Sequence, residues 1–156
     1  MTGRWVLGAA TLLAIALTWG ASDVAWARDG AQGCTVAELD GLYFLILSGF
    51  TMPSGTPEPK AAVEVIRFTG DGTAATPAAT RSVNGMIIEE DGTATGTYTV
   101  ASISSADGAC TGKLTITNPP SGPHFDLFFT LKGEFIGMIQ TDANNVFQGK
   151  AVKISR

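Results

Sequence analysis

Residues 67–76 have the sequence RFTGDGTAAT, in which a strand-like run meets a Gly-Asp-Gly turn and a Thr- and Ala-rich segment follows. Asp-Gly and Asn-Gly are preferred at the centre of type I′ turns, because both central residues adopt positive φ. The same signal recurs along the chain, at Asp71-Gly72, Asn84-Gly85, Asp91-Gly92 and Asp107-Gly108. The stretch therefore predicts tight turns between successive β-strands.

A calcium loop is the alternative interpretation of the same motif. An EF-hand loop needs oxygen ligands at alternate positions and a Glu near its end. After Asp71 the chain continues Gly-Thr-Ala-Ala-Thr-Pro without another carboxylate. Glu89, Glu90 and Asp91 could attract a cation weakly, although a solvated acidic strand end is the commoner arrangement. We therefore expect turns at these positions, with no metal site and no cofactor.

The rest of the chain is a series of short segments separated by Gly, Pro and Asn. They predict eight or nine strands, over 42–50, 61–69, 73–83, 86–90, 93–103, 110–118, 124–132, 134–141 and 145–155. A short helical turn with a capping box, Thr35 to Glu38, precedes them. Many short strands with tight connections favour an all-β, antiparallel fold, either a sandwich or a barrel. A meander of about eight strands closes most simply into a single up-and-down barrel.

Three features of these segments predict how the strands are buried. Apolar residues alternate with threonine in 95–101 and 111–117, which predicts an apolar interior and a Thr-rich exterior. The run LYFLILSGF, 42–50, is apolar throughout and predicts a strand buried on both faces. Pro77 lacks a backbone N–H, so the strand around it should be an edge strand or a bulged one.

The N-terminal residues 1–27 are predicted to be a signal peptide and not part of the fold. Arg4 precedes an apolar stretch, 5–19, and the small-x-small site Ala25-Trp26-Ala27 follows. An uncleaved membrane anchor is the alternative, but the apolar run is short for a span of about 20 residues. The mature chain would then be one β-barrel domain, 28–156, exported to the periplasm or the extracellular space and not membrane-spanning.

The two cysteines fit this export. Cys34 and Cys110 are an even count in a predicted exported chain, which indicates one disulfide. The net charge of −4 argues against a nucleic-acid partner, which would need a basic stripe. An outer-membrane barrel is another alternative, but the predicted outer face carries Thr and Lys in place of a lipid-facing apolar band.

Candidate ligand-binding residues come from the inward faces of the predicted strands. Glu64 shares its strand face with Ile66 and Phe68, which would point it inward near a barrel mouth, but we favour a bulged strand that turns it to solvent. An inward carboxylate can orient a ligand or act as a base. Four aromatic residues are either core residues or the wall of a ligand cage: Phe68, Tyr98, Phe125 and Phe129.

The single histidine and the catalytic motifs give a weaker signal. His124 stands at a strand start, where it is either simply exposed or a general base or metal ligand. The chain has no Gly-x-Ser-x-Gly elbow, so nothing in the sequence supports a serine hydrolase. No catalytic residue is therefore assigned.

The order of strand and turn motifs resembles that of uncharacterised exported bacterial proteins with a small β-barrel. The segments that carry it include LDGLYFLILSGF, FTGDGTAAT, SVNG, TGTYTV, CTGKLT and FIGMIQTDANNVFQGKA. The chain is more distantly similar to calycin-type barrels such as lipocalins, although LDGLYF stands where lipocalins have Gly-x-Trp. FDLFFTLKG is similar to allene oxide cyclase and dirigent barrels. These resemblances imply a barrel and export and no catalytic residue.

Three hypotheses about function follow. The first is a binding module that holds a small apolar ligand in the barrel interior. The second is a structural or surface-interaction protein whose barrel is filled by its own side chains. The third is a cyclase- or isomerase-like enzyme with Glu64 or Tyr98 in the barrel mouth. The sequence does not give the interior volume that separates the first two.

Overall fold

A computed structural model describes residues 33–104 and 108–156. A single turn of 3-10 helix, Val36–Leu39, is followed by strands that run antiparallel to their neighbours. In the 3-10 turn the Glu38 carboxylate accepts the Thr35 backbone N–H at 2.6 Å, as the capping box predicts. The strands are β1 Gly41–Thr51, β2 Glu58–Phe68, β3 Thr73–Val83, β4 Met86–Glu89, β5 Ala94–Ser104, β6 Ala109–Asn118, β7 His124–Thr130, β8 Phe135–Gln140 and β9 Asn145–Ser155.

The sheet closes on itself. The strand order is β2-β1-β9-β8-β7-β6-β5-β3-β4, and an additional β2–β3 pairing joins the two ends. Eight strands therefore form an up-and-down antiparallel barrel. The short strand β4 lies outside the barrel and pairs with the end of β3. The predicted fold class is confirmed. Closure leaves the eight barrel strands with neighbours on both sides, which removes most of the exposed sheet edge.

The connections lie at the predicted motifs, but the one at Asp71 is longer than the two-residue turn that the sequence predicts. Asn84 and Gly85 both have positive φ, 50° and 79°, and join the paired residues Val83 and Met86, as a type I′ turn requires. Asp71 belongs to a four-residue connection, 69–72, in which its carboxylate accepts the Thr73 N–H at 2.9 Å. The connection is thus held by Asp71 itself. Asp91 adopts positive φ in the β4–β5 connection, and Asp107 lies outside the described residues.

Pro77 lies at an irregularity in β3, as predicted. The β2–β3 register shifts by one residue between the pairs Val65↔Ala78 and Arg67↔Ala75. A bulge of this kind places two residues of one strand opposite one of its partner. It changes which side chains of β3 point inward, so that Thr76 and Ala79 are both buried.

The burial of β1 differs from the prediction. Tyr43, Leu45 and Leu47 point inward and are buried, whereas Phe44 and Ile46 point outward and are 39% and 50% exposed. The strand is therefore buried on one face only, because in a single-layer barrel nothing described packs on the outside. The Thr-rich exterior is correct for β5 and β6. It is wrong for the strands around β1, whose outer face is largely apolar.

The 3-10 turn closes one end of the barrel. Leu39 is fully buried there, and the Tyr98 hydroxyl donates to the Val36 carbonyl at 2.9 Å. The rings of Tyr43 and Tyr98 pack edge-to-face on either side of Phe68, at 5.4 and 4.9 Å between centroids. Leu39 and these three rings therefore fill this end of the barrel.

The predicted Cys34–Cys110 disulfide is present at this closed end, with a Cα–Cα distance of 5.8 Å. It ties the segment before the 3-10 turn to β6. The predicted signal peptide, 1–27, lies outside the described residues. Within the described ranges, the structure has no helix that is long and apolar enough to cross a membrane.

Candidate functional site: the open end of the barrel

The other end of the barrel is open and leads to a cavity of about 350 Å³. The cavity lies at the ends of the strands opposite the 3-10 turn. Its deeper wall is aliphatic and aromatic, and polar side chains surround its mouth. The apolar lining comprises Leu45, Leu47, Ile66, Leu114, Ile116, Pro123, Phe125, Met138 and Phe147. This volume is within the range of pockets that hold small molecules.

Glu64 points into this cavity from β2. It is only 8% exposed, and its Oε1 accepts a hydrogen bond from Arg81 Nε at 2.9 Å. Arg81 Nη1 contacts Glu89 Oε2 on β4, also at 2.9 Å. One guanidinium therefore joins β2, β3 and β4 at the mouth of the cavity. It balances the buried carboxylate of Glu64, which would be costly to bury alone.

Lys60 lies two residues before the buried Ala62 on the same inward face of β2. Its Nζ is 4.3 Å from the centroid of the Phe147 ring and 3.5 Å from Gln140 Oε1. Burial, with a smaller contribution from nearby Arg81, holds the pKa of Lys60 below its ordinary value. Among the described residues, no carboxylate forms an ion pair with this ammonium group. It therefore has hydrogen-bond donors directed at the mouth of the cavity.

Asp142 organises the opposite side of the mouth. Its Oδ2 accepts the His124 backbone N–H at 2.9 Å and the Gln140 side-chain amide at 2.7 Å. Its Oδ1 lies 2.7 Å from His124 Nδ1. Burial acts to raise the pKa of Asp142, but these hydrogen bonds outweigh it and keep the pKa below the ordinary value. The carboxylate is thus fixed between β7 and β8.

Thr76 is the least satisfied polar residue in the wall. It is 2% exposed, and its Oγ1 finds no hydrogen-bond partner in the described part of the chain. A buried hydroxyl without a partner costs roughly 1–3 kcal/mol. Thr76 shares the interior face with Ala74, two residues before it, and lies in the wall of the cavity, so a molecule in the cavity would lie beside it.

The five sequence-predicted residues are divided between the two ends of the barrel. Glu64 and Phe125 line the cavity. Phe68 and Tyr98 belong to the aromatic cluster at the closed end, and Phe129 is buried beside Cys110, its partner in the β6–β7 register. Glu64 points inward, so the favoured prediction that a bulge turns it to solvent is wrong: the bulge lies in β3, opposite Ile66, and leaves the alternation of β2 intact. A single ligand cage built from all five residues is not formed.

The sequence prediction missed seven polar residues of the cavity wall and mouth: Lys60, Thr76, Arg81, Ser121, Gln140, Asp142 and Asn145. Alternation along β2 from Glu64 predicts that Lys60 faces inward, so that signal was present. The bulge disrupts the same alternation in β3, so alternation alone does not predict that Thr76 and Arg81 both face inward. Asp142 lies in a turn, where no periodicity predicts orientation.

The arrangement provides binding groups and no complete catalytic set in the described residues. No group of three or more His, Cys, Asp or Glu side chains could hold a metal ion there. Of the two residues that the isomerase hypothesis offers as alternatives, Glu64 lies at the mouth of the cavity, whereas Tyr98 lies at the closed end. The His124–Asp142 pair lacks a hydroxyl that hydrogen-bonds to the imidazole within the described ranges.

Comparison with other proteins adds nothing to this geometry, since no protein-family model, curated protein or solved structure matches the chain. The proposed function therefore rests on the geometry of the cavity.

Proposed function

We propose that the protein binds a small, mainly apolar molecule in the open half of the barrel. The observation that carries the proposal is the buried, unpartnered hydroxyl of Thr76 in the wall of a 350 Å³ cavity. A fold that simply fills its interior would bury an apolar side chain at this position, since an unsatisfied hydroxyl lowers stability. A bound molecule with one polar group would satisfy it.

The mouth of the cavity favours a ligand with an acidic end. Arg81 is already paired with two carboxylates, and Asp142 accepts three hydrogen bonds. Among residues 33–104 and 108–156, Lys60 has only the 3.5 Å contact with Gln140 and the contact with the face of the Phe147 ring. An anionic group at Lys60 would gain a charge-assisted hydrogen bond, and its apolar body would lie against the aliphatic wall. The ligand class that fits is a small amphipathic carboxylate.

Calorimetric titration with three ten-carbon probes tests this proposal. Decanoate, decanol and decylamine carry an anionic carboxylate, a neutral hydroxyl and a cationic ammonium head group, respectively. The proposal predicts saturable binding at one site per chain, with decanoate the tightest and decylamine the weakest. A charged hydrogen bond contributes about 1.5–3 kcal/mol, so Lys60→Met should weaken decanoate binding about tenfold to a hundredfold. It should change decanol binding little.

Lys113→Met is the matched control. Lys113 is 75% exposed on the outer surface, where it pairs with Asp126, so its loss removes a cation of the same type far from the cavity. Decanoate binding should be unchanged in this variant. Equal affinities for the three probes, or equal losses in both Lys variants, would contradict the proposed orientation of the ligand. No saturable binding of any of them would contradict the binding function.

Export is part of the same proposal. The Cys34–Cys110 disulfide is typical of an oxidising compartment, and residues 1–27 have the basic residue, apolar stretch and small-x-small site that predict a signal peptide. A periplasmic or extracellular binding protein would meet small molecules outside the cytoplasm. The suggested likeness to lipocalins remains a prediction, and the barrel shape is compatible with it. Edman sequencing of the exported protein should give Arg28 as the first residue.

A further inference from the structure

A large apolar surface lies on the outside of the barrel, away from the cavity mouth. It comprises eight side chains that are between 39% and 55% exposed, and we refer to it as the outer apolar face: Phe44, Ile46, Val63, Phe128, Phe135, Ile139, Val152 and Ile154. The ligand cavity does not use these residues, because they point to the opposite side of the strands.

The registers of four neighbouring strands make the face continuous. Phe44 of β1 pairs with Val152 of β9, which pairs in turn with Phe135 of β8. In the next row Ile46 pairs with Val63 of β2. Directly paired outward residues lie side by side, about 5 Å apart. The face is therefore one patch and not a set of scattered exposed residues.

The exposed area is large for a monomer. At whole-residue areas of roughly 150–200 Å², the eight side chains leave on the order of 600 Å² exposed. The largest patch on a typical monomeric protein is about 300–600 Å². A stable interface buries about 800 Å² on each partner, including its polar rim. The outer apolar face has the size of the apolar centre of such an interface.

The distribution of polar groups favours a protein partner over a lipid bilayer. A lipid-facing barrel carries an apolar band around its whole circumference. Here the outer surface of β5 and β6 carries threonines and Lys113, while Lys150 lies between Ile46 and Gly137 in the β1–β9–β8 register. A one-sided face with a lysine inside it suits a protein interface, in which an oxygen of the partner can meet the ammonium group; in a second copy the Gln148 side chain, which lines the same groove as Lys150, offers one.

A depression in the face gives it shape. Ile46, Phe128, Phe135 and Ile139 surround a shallow groove that lies over Gly137. A Cβ added to Gly137 would meet nothing closer than the Phe128 carbonyl oxygen at 3.8 Å, so internal packing does not require a glycine there. The groove beside protruding phenylalanines is a surface that a second copy can fill with the same residues.

We propose that the outer apolar face is the interface of a homodimer with two-fold symmetry. A two-fold interface brings the same patch of each subunit together, so a projection from one copy enters the groove of the other. The dimer leaves both cavity mouths open, because the interface lies on the side of the barrel. This inference is independent of the proposed ligand.

Sedimentation velocity of the purified protein tests the dimer, with the intact mass measured on the same sample to identify its N-terminus. Between about 1 and about 100 μM the wild-type protein should change from monomer to dimer or be dimeric throughout. Ile46→Lys places a second cation beside Lys150 in the centre of the face and should raise the dissociation constant at least tenfold. Thr97→Lys, on the exposed face of β5, is the matched control and should leave dimerisation unchanged.

The remaining outcomes each overturn the proposal. A wild-type monomer throughout this range would show that the face has no copy bound to it. An oligomer that Ile46→Lys does not weaken would place the interface elsewhere. A monomer that co-sediments with phosphatidylcholine vesicles would assign the face to a membrane. Circular dichroism of both variants verifies that they fold.

Discussion

Replacing Thr76 by valine separates a binding cavity from a filled barrel. Valine keeps the β-branched shape and removes the hydroxyl, so neither a cavity nor a clash is created. Thr76 is 2% exposed, and its hydroxyl has no hydrogen-bond partner among the described residues. An unmade hydrogen bond of this kind costs roughly 1–3 kcal/mol. Thr76→Val should therefore raise the free energy of unfolding by about 1 kcal/mol.

The same substitution should weaken binding of a ligand that uses the hydroxyl. A neutral hydrogen bond contributes about 0.5–1.5 kcal/mol, so the affinity for decanoate should fall roughly two- to tenfold. The expected result is a more stable protein that binds less tightly. Sites that are tuned for function commonly show this opposition between stability and activity.

Thermal unfolding of extensively delipidated protein measures the first effect, and calorimetric titration measures the second. A gain of about 1 kcal/mol corresponds to a rise in the melting temperature of roughly 3–5 °C for a domain of this size. Thr97→Val, on the exposed outer face of β5, is the control and should change stability by less than about 0.5 kcal/mol. A lower melting temperature for Thr76→Val would contradict the expected gain in stability, because it would mean that the Thr76 hydroxyl already has a hydrogen-bond partner.

Three further predictions concern the scaffold. Replacing Cys34 and Cys110 by serine should lower the free energy of unfolding by about 4 kcal/mol, because the disulfide closes a loop with a sequence separation of 76. Chemical denaturation with urea measures this free energy. A loss below about 1 kcal/mol would contradict the prediction. Tyr43→Phe removes the 2.5 Å hydrogen bond to the buried Gly133 carbonyl and should cost about 1–2 kcal/mol in the same assay, whereas an unchanged midpoint would mean that the bond contributes nothing. Asp142 has a folded-state pKa below its unfolded value of about 3.9, so its stabilisation is present above that pH and is lost as the pH falls through the folded-state pKa. Asp142→Asn should therefore flatten the fall in melting temperature between about pH 5 and pH 2, and parallel curves for the two proteins would exclude this contribution.

Most of the fold is predictable from local sequence because nearly every connection in an up-and-down barrel is local. Asn84-Gly85 specifies its own turn through the positive φ of both residues, and Pro77 marks its own bulge. The predicted strand 145–155 coincides with β9. In contrast, the apolar run of β1 gave a wrong prediction of two buried faces, since Phe44 and Ile46 look alike in sequence whether another layer or solvent covers them.

The candidate site is less predictable because it depends on register and curvature. Glu64 could be found from the period of β2, but its partner Arg81 reaches it only after the bulge shifts the register of β3. Phe68 and Phe125 are both inward-facing phenylalanines, and nothing in their local sequence tells which end of the barrel is filled. That depends on the 3-10 turn, which occupies one end only.

The central claim is that the open half of the barrel holds a molecule, and native mass spectrometry of the protein purified from its exporting cell tests it most directly. We expect a stoichiometric additional mass on the folded chain that is released on denaturation, and a solvent extract that contains an amphipathic acid. The Thr76→Val and Lys60→Met variants should carry less of it, and Lys113→Met as much as the wild type. A folded chain without additional mass that also fails to bind added decanoate would contradict the proposed binding function.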